Sequence, residues 1–223
     1  MLKNDYIKEI ENALKLVKRE VDKNIVNNEI DKAFQAINKE FKGLVGLDLD
    51  TISSLSFDSI KAIISRDNQY NAEKYIALGE LLNLQGIVYS SQKDEMNKVI
   101  YFEKALQAFV QAYEEDDSVD KKYLDDAEKM IEDLRQYELT LEDDKRIFTI
   151  YELLNKFDRA EDMLFYMLKI NNNSEDIIKE GLDFYKRLKE KPEEILEEGN
   201  LPLEEIEDSI LQLKALGAID KEV

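Results

Sequence analysis

Turn-forming residues are scarce in this chain, while apolar residues recur every three or four positions along nearly all of it. Only 2 Pro and 7 Gly occur in 223 residues, and there is no Asn-Gly or Asp-Gly pair. A many-stranded protein turns about every 8 to 12 residues and relies on those residues to do so. The spacing therefore predicts an all-α chain of about ten helices. Tyr6, Ile10, Ala13, Val17 and Val21, joined by Ile7 and Leu14, mark a first helix from about Asn4 to Asp22. Leu2, Leu14 and Leu16 widen its apolar stripe, so it packs internally or docks on a second copy as a homodimer.

Ile30, Ala33, Phe34, Ile37 and Phe41 make a second helix, with Gly43 placed to stop it in the left-handed conformation. A short helical turn follows at 46–55, and Ser56 caps another helix carrying Ile60, Ile63 and Ile64. Tyr75, Leu78, Leu82, Gln85 and Tyr89 form the inward face of a helix over 71–91. Val99, Phe102, Ala105, Leu106, Phe109 and Tyr113 form that of its hairpin partner. Beyond the acidic link Glu114 to Asp117, Ser118 caps a helix with Ala127, Met130, Ile131 and Leu134 inward. Thr140 and Asp143 read as a capping-box variant opening a helix with Ile147, Phe148, Tyr151 and Leu154. Ala160, Met163, Leu164 and Met167 mark its partner, and Ser174 caps the next helix. Pro192 starts a short helix that Gly199 ends, with Gly199 supplying a positive φ, and Pro202 begins the last.

Composition narrows the chemistry. With no His or Cys, the chain cannot build a Ser-His-Asp triad, a thiolate nucleophile, a Cys/His zinc site or a disulfide. Against 31 Lys and Arg stand 50 Asp and Glu, a formal charge of −19. Such a surplus repels phosphate backbones and anionic lipid, so neither nucleic acid nor membrane is an expected partner. No apolar leader or membrane-length window is present in the sequence, and a cytoplasmic location is expected. Glu114 to Asp117 lacks the alternating ligands, central Gly and closing Glu of a calcium loop and reads as a solvated linker. No cofactor is expected.

Leu82, Gly86, Tyr89, Phe102 and Ala105 stand at the offsets of a tetratricopeptide hairpin, which they resemble. Gly86, and Gly79 seven residues earlier, would let the second helix approach closely. Tyr151, Asn155-Lys156-Phe157, Ala160 and Leu164 resemble the joint of a second unit, 62 residues from Gly86 to Phe148 rather than about 34 because the Ser118 helix intervenes. Gln85, Lys98, Phe148 and Met167 depart from the repeat pattern. The whole chain also resembles an uncharacterised bacterial family of helical proteins with such a core. The resemblance rests on Asn4-Asp5-Tyr6-Ile7, Gly46-Leu47-Asp48-Leu49, Leu78-Gly79-Glu80-Leu81-Leu82 and Glu198-Gly199-Asn200-Leu201-Pro202-Leu203-Glu204-Glu205.

The resemblance implies tetratricopeptide-like hairpins in a right-handed superhelix at 69–170, flanked by helical regions at 1–68 and 171–223 in one continuous domain. It implies a groove for an extended peptide, faced by Glu80, Asn83, Ile87 and Ser90 in the first unit and by Lys145, Thr149 and Glu152 in the second. Against this stands a filled arrangement, in which flanking helices cover both units and leave no open groove. The expected function is a non-catalytic protein–protein interaction or scaffold module for a protein or peptide partner, a basic one being best suited to the charge. An acidic inhibitor that captures a basic partner through its field is the alternative. A carboxylate-based enzyme comes third, and would announce itself by a carboxyl of raised pKa in a pocket.

Overall fold

A computed structural model of the chain describes residues 3–66 and 70–219, with side chains from 5 to 217. The described residues form twelve α-helices and no strand: α1 (Lys3–Val26), α2 (Ile30–Glu40), α3 (Leu49–Ser54), α4 (Phe57–Ile64), α5 (Asn71–Ser91), α6 (Glu95–Glu115), α7 (Asp125–Leu134), α8 (Leu141–Leu153), α9 (Phe157–Ile170), α10 (Glu175–Leu188), α11 (Glu193–Glu198) and α12 (Leu203–Ile219). A π-helical turn at Phe41–Val45 and a 3-10 turn at Lys121–Leu124 complete them. The all-α expectation holds. Two compact units divide the chain, Met1–Glu138 and Leu139–Val223. That division falls between the two repeat-like hairpins, whereas the sequence places both in 69–170; the 68/69 boundary lies outside the described residues.

In the first unit α5 is the core helix. Of its 21 residues 14 are buried, on every side, so it is more than the one-faced helix that its sequence face predicts. A helix apolar all round needs neighbours all round; α1, α2 and α6 supply them. The expected close approach to α6 is present. A Cβ on Gly86 would lie 2.4 Å from the Phe102 ring, and one on Gly79 would lie 2.9 Å from that of Phe109. Tyr89 stacks on Tyr101 with centroids 5.3 Å apart and meets Phe34 at 5.1 Å. Two hydrogen bonds fasten α3 to α6, Ser53 with Tyr101 at 2.7 Å and Lys104 Nζ to the Ile52 carbonyl at 2.9 Å.

Several helix ends differ from expectation. α2 does not stop at Gly43: the chain runs on as a π turn that buries Phe41, Leu44 and Val45, and the left-handed residue is Gly46, φ 78°. Ser118 does not cap α7; it bonds back to Asp116, and Asp120 caps the 3-10 turn instead by accepting from the Lys122 N–H at 3.0 Å. Ser174 stands at the N-cap of α10 without a side-chain capping bond. Ser56 and Thr140 do cap, accepting from the N–H of Ser59 and Asp143. Gly199 has φ −82°, and Asn200, at φ 55°, makes the turn.

The second unit packs α8 on α9 and α10 on α9 and α12. A Cβ on Gly181 would stand 2.7 Å from both Leu164 and Leu213, so α10 fits tightly between their helices. In α1, Ile10, Val17 and Val21 are buried while Leu16 is 64% exposed; Leu2 lies outside the described residues. No helix among the described residues is long and apolar enough to cross a membrane.

Candidate functional site

The first unit carries a groove floored by α5, with α1 on one side and the 3-10 turn and α7 on the other. Three adjoining depressions of about 320, 190 and 270 Å³ follow one another along it. Their lining residues advance together, from Ile7 to Lys18, from Glu73 to Ile87, and from Ser118 to Asp133. The three helical segments therefore run in the same direction. At 1.5 Å per residue, the floor is about 21 Å long.

Its far wall is held by specific bonds. Tyr113 on α6 donates to the Asp120 carbonyl at 3.0 Å. At the other end of α7, Lys98 pairs with Glu95 at 2.6 Å and with Asp133 at 3.6 Å, and its ammonium lies 5.1 Å from the centre of the Tyr137 ring. Lys98 thus clamps α7 to α6.

Two charged straps cross from wall to wall. Glu11 accepts from Lys122 Nζ at 2.6 Å and from the Tyr123 hydroxyl at 2.9 Å, bonds that hold its carboxyl below the usual range. Further along, Lys18 pairs with Asp126, which also receives Lys129 at 3.3 Å. Burial opposes ionisation of Asp126, but these cations outweigh it and lower its pKa.

Beneath the second strap lies Glu80. Burial first, and then the nearby Asp126 charge, push its carboxyl up to about 7, with Lys18 opposing. No hydrogen bond or ion pair within 4.0 Å reaches it among the described residues. One turn on, Asn83 is 5% exposed and lines the same depression as Ile87, Phe102 and Met130. Its amide likewise has no hydrogen-bond partner among the described residues. The two side chains thus present a carboxyl and an amide, about one turn apart on α5, to the same depression.

The structure thus brings Glu80, Asn83 and Ile87 together in one depression. Ser90, further along α5, is half-buried and does not line it. In the second unit Lys145, Thr149 and Glu152 lie on α8, where local contacts engage them. Lys145 approaches Glu180 at 3.5 Å, Thr149 donates to the Lys145 carbonyl at 3.0 Å, and Glu152 takes a two-bond grip from Arg187 at 2.7 Å each. α10 supplies both charged partners, so this face is occupied within its own unit. Sequence reasoning missed the real walls, Lys18 on α1 and Asp126, Met130 and Asp133 on α7. The available clue was the low charge of α5, which shows Glu73, Lys74 and Glu80 as its only ionisable acids and bases of the Lys, Arg, Asp and Glu type.

No curated protein and no solved structure matches the chain. A family model described as "Family of unknown function (DUF6483)" matches residues 1–217, and the chain belongs to that family.

Proposed function

We propose that this protein is a non-catalytic interaction module that receives an extended peptide segment along the α5 groove. The observation that carries the reading is Asn83, a buried residue whose amide has no hydrogen-bond partner among the described residues, on the floor of a groove walled by two further helices. The groove's length of about 21 Å suits about six residues of extended chain. The tetratricopeptide-like packing of α5 on α6 through Gly86 and Phe102 supports it, as does the −19 charge, which favours a basic partner.

A peptide-display selection on the whole protein tests the reading. Selected peptides are expected to lose binding when Ile87→Arg fills the depression, and to keep it when Leu211→Arg alters α12 on the second unit. Peptides insensitive to Ile87→Arg but released by salt alone would favour capture through the acidic field instead.

A second reading has one observation in its favour. Glu80 holds its proton to about pH 7 while neighbouring Asp126 is held ionised, the divergence that carboxylate enzymes use. Asp126 is, however, bound by Lys18 and Lys129 and is poorly placed to act as a free base. Turnover of a chromogenic glycoside panel that vanishes in Glu80→Gln would support this reading over the first.

A further inference from the structure

We infer that the centre of the groove is a receptor for one cationic side chain of the partner, a guanidinium held by the Glu80 carboxylate and the Asn83 amide oxygen. This rests on the peptide-groove reading and names the chemistry that the groove selects.

Four observations carry it. Glu80 is the one carboxylate in its depression without an ion pair, since Asp126 takes Lys18 and Lys129 and Asp133 takes Lys98. Asn83, buried one turn away on the same helix and without a hydrogen-bond partner among the described residues, adds an acceptor of the kind a forked donor needs. Ile87, Leu84, Phe102 and Met130 supply apolar walls beside them for the methylene stem of a long basic side chain. The depression, about 270 Å³, has room for such a side chain. Lys18 already lies close enough to Glu80 to influence it, so a cation in this position is compatible with the local field.

Binding should also couple to protons. The charged and titratable groups that share the depressions of Glu80 are Glu11, Lys15 and Lys18 from α1, Lys122 and Tyr123 from the 3-10 turn, and Asp126, Lys129 and Asp133 from α7, with Tyr113 from α6 near enough to feel its charge. Both tyrosines are pushed above their ordinary value by burial first and then by nearby acids, and remain neutral through the tested range. Glu80, pushed up to about 7, changes charge near neutrality, and an arriving guanidinium favours its ionised form.

The test uses the full chain with N-acetyl-arginine amide and its uncharged isostere N-acetyl-citrulline amide as probes, read by NMR titration of the Leu84 and Ile87 methyls and by calorimetry. The arginine probe is expected to bind with an affinity that rises from pH 6 to pH 8, and to bind at least about tenfold more tightly than the citrulline probe at pH 8. Glu80→Gln is expected to erase that difference, and Lys18→Ala, which removes the built-in cation, to strengthen the arginine probe. Equal binding of the two probes, or an undiminished preference in Glu80→Gln, overturns the inference. Neutral peptides that bind the groove as well as basic ones would sink it while leaving the peptide-groove reading standing. Arginine-probe binding without any selected peptide would do the reverse.

Discussion

Gly86 shows how glycine is used in this chain. Five of the seven described non-glycine residues with positive φ are Asn, namely Asn28, Asn155, Asn172, Asn173 and Asn200, while Gly46 alone among the described glycines takes that conformation. Asparagine thus makes most of the left-handed turns, while Gly79, Gly86, Gly181 and Gly199 stand where helices or loops touch. Gly199 illustrates this: a Cβ there would come within 2.3 Å of the Phe157 ring and 2.7 Å of the Asn155 carbonyl. At Gly86 the same logic yields a prediction. Gly86→Ala gains helix propensity of about 1 kcal/mol, but overpacking against Phe102 costs about 1–3 kcal/mol. The variant is expected to lose stability in urea denaturation, and Phe102→Leu in that background to recover part of the loss.

Glu80 supplies the second prediction at this scale. Its folded pKa of about 7 stands above the ordinary 4.5, so the folded state binds more protons than the unfolded one between those values. The resulting stabilisation is complete below the unfolded pKa and is lost as pH rises through about 7. Ionised Glu80 then costs the fold up to roughly 3 kcal/mol. Glu80→Gln is expected to be more stable than the wild type at pH 8 and nearly equal to it at pH 5. A stability difference independent of pH would contradict this origin.

Among the elements, α8 owes its start to Thr140. Its hydroxyl accepts from the Asp143 N–H at 3.2 Å and donates to the Asp143 carboxylate at 2.5 Å, while Arg146 reaches that same carboxylate at 2.6 Å. This capping arrangement was legible because Thr and Asp at three-residue spacing before an apolar run have few other structural uses. Thr140→Ala is expected to cost about 1 kcal/mol, read as a fall in the melting temperature with little change in the groove's NMR signals. The end of α2 was not legible. Gly43 has the right residue type for a stop, but continuing as a π turn buries Phe41, Leu44 and Val45, a gain that local preference cannot register. The Ser118 cap failed for a related reason: Tyr113 holds the Asp120 carbonyl, and that tertiary bond fixes where the next helical turn begins.

For the whole molecule, most charge lies outside the packing, with Glu73, Lys98, Asp143 and Asp144 as buried exceptions. The −19 charge is carried on helices whose inward faces are apolar, so self-repulsion should keep the protein dispersed near neutrality. Solubility is expected to be lowest near the sequence pI of about 4.5, and a turbidity titration with no maximum there would refute this. The all-α class, most helix positions and the α5–α6 close approach were determined by the sequence alone, since they depend on periodicity or on residues within one hairpin, whereas Glu80, Asn83, Ile87 and Ser90 were named only through the resemblance to a tetratricopeptide hairpin. The walls of the groove and the charge state of Glu80 were decided only by the tertiary structure. They depend on Lys18 and Asp126, 108 residues apart, meeting as an ion pair, and on α1 and α7 enclosing a carboxyl on α5. Spacing along a helix reports which face a residue occupies; what that face meets is set by how the rest of the chain packs.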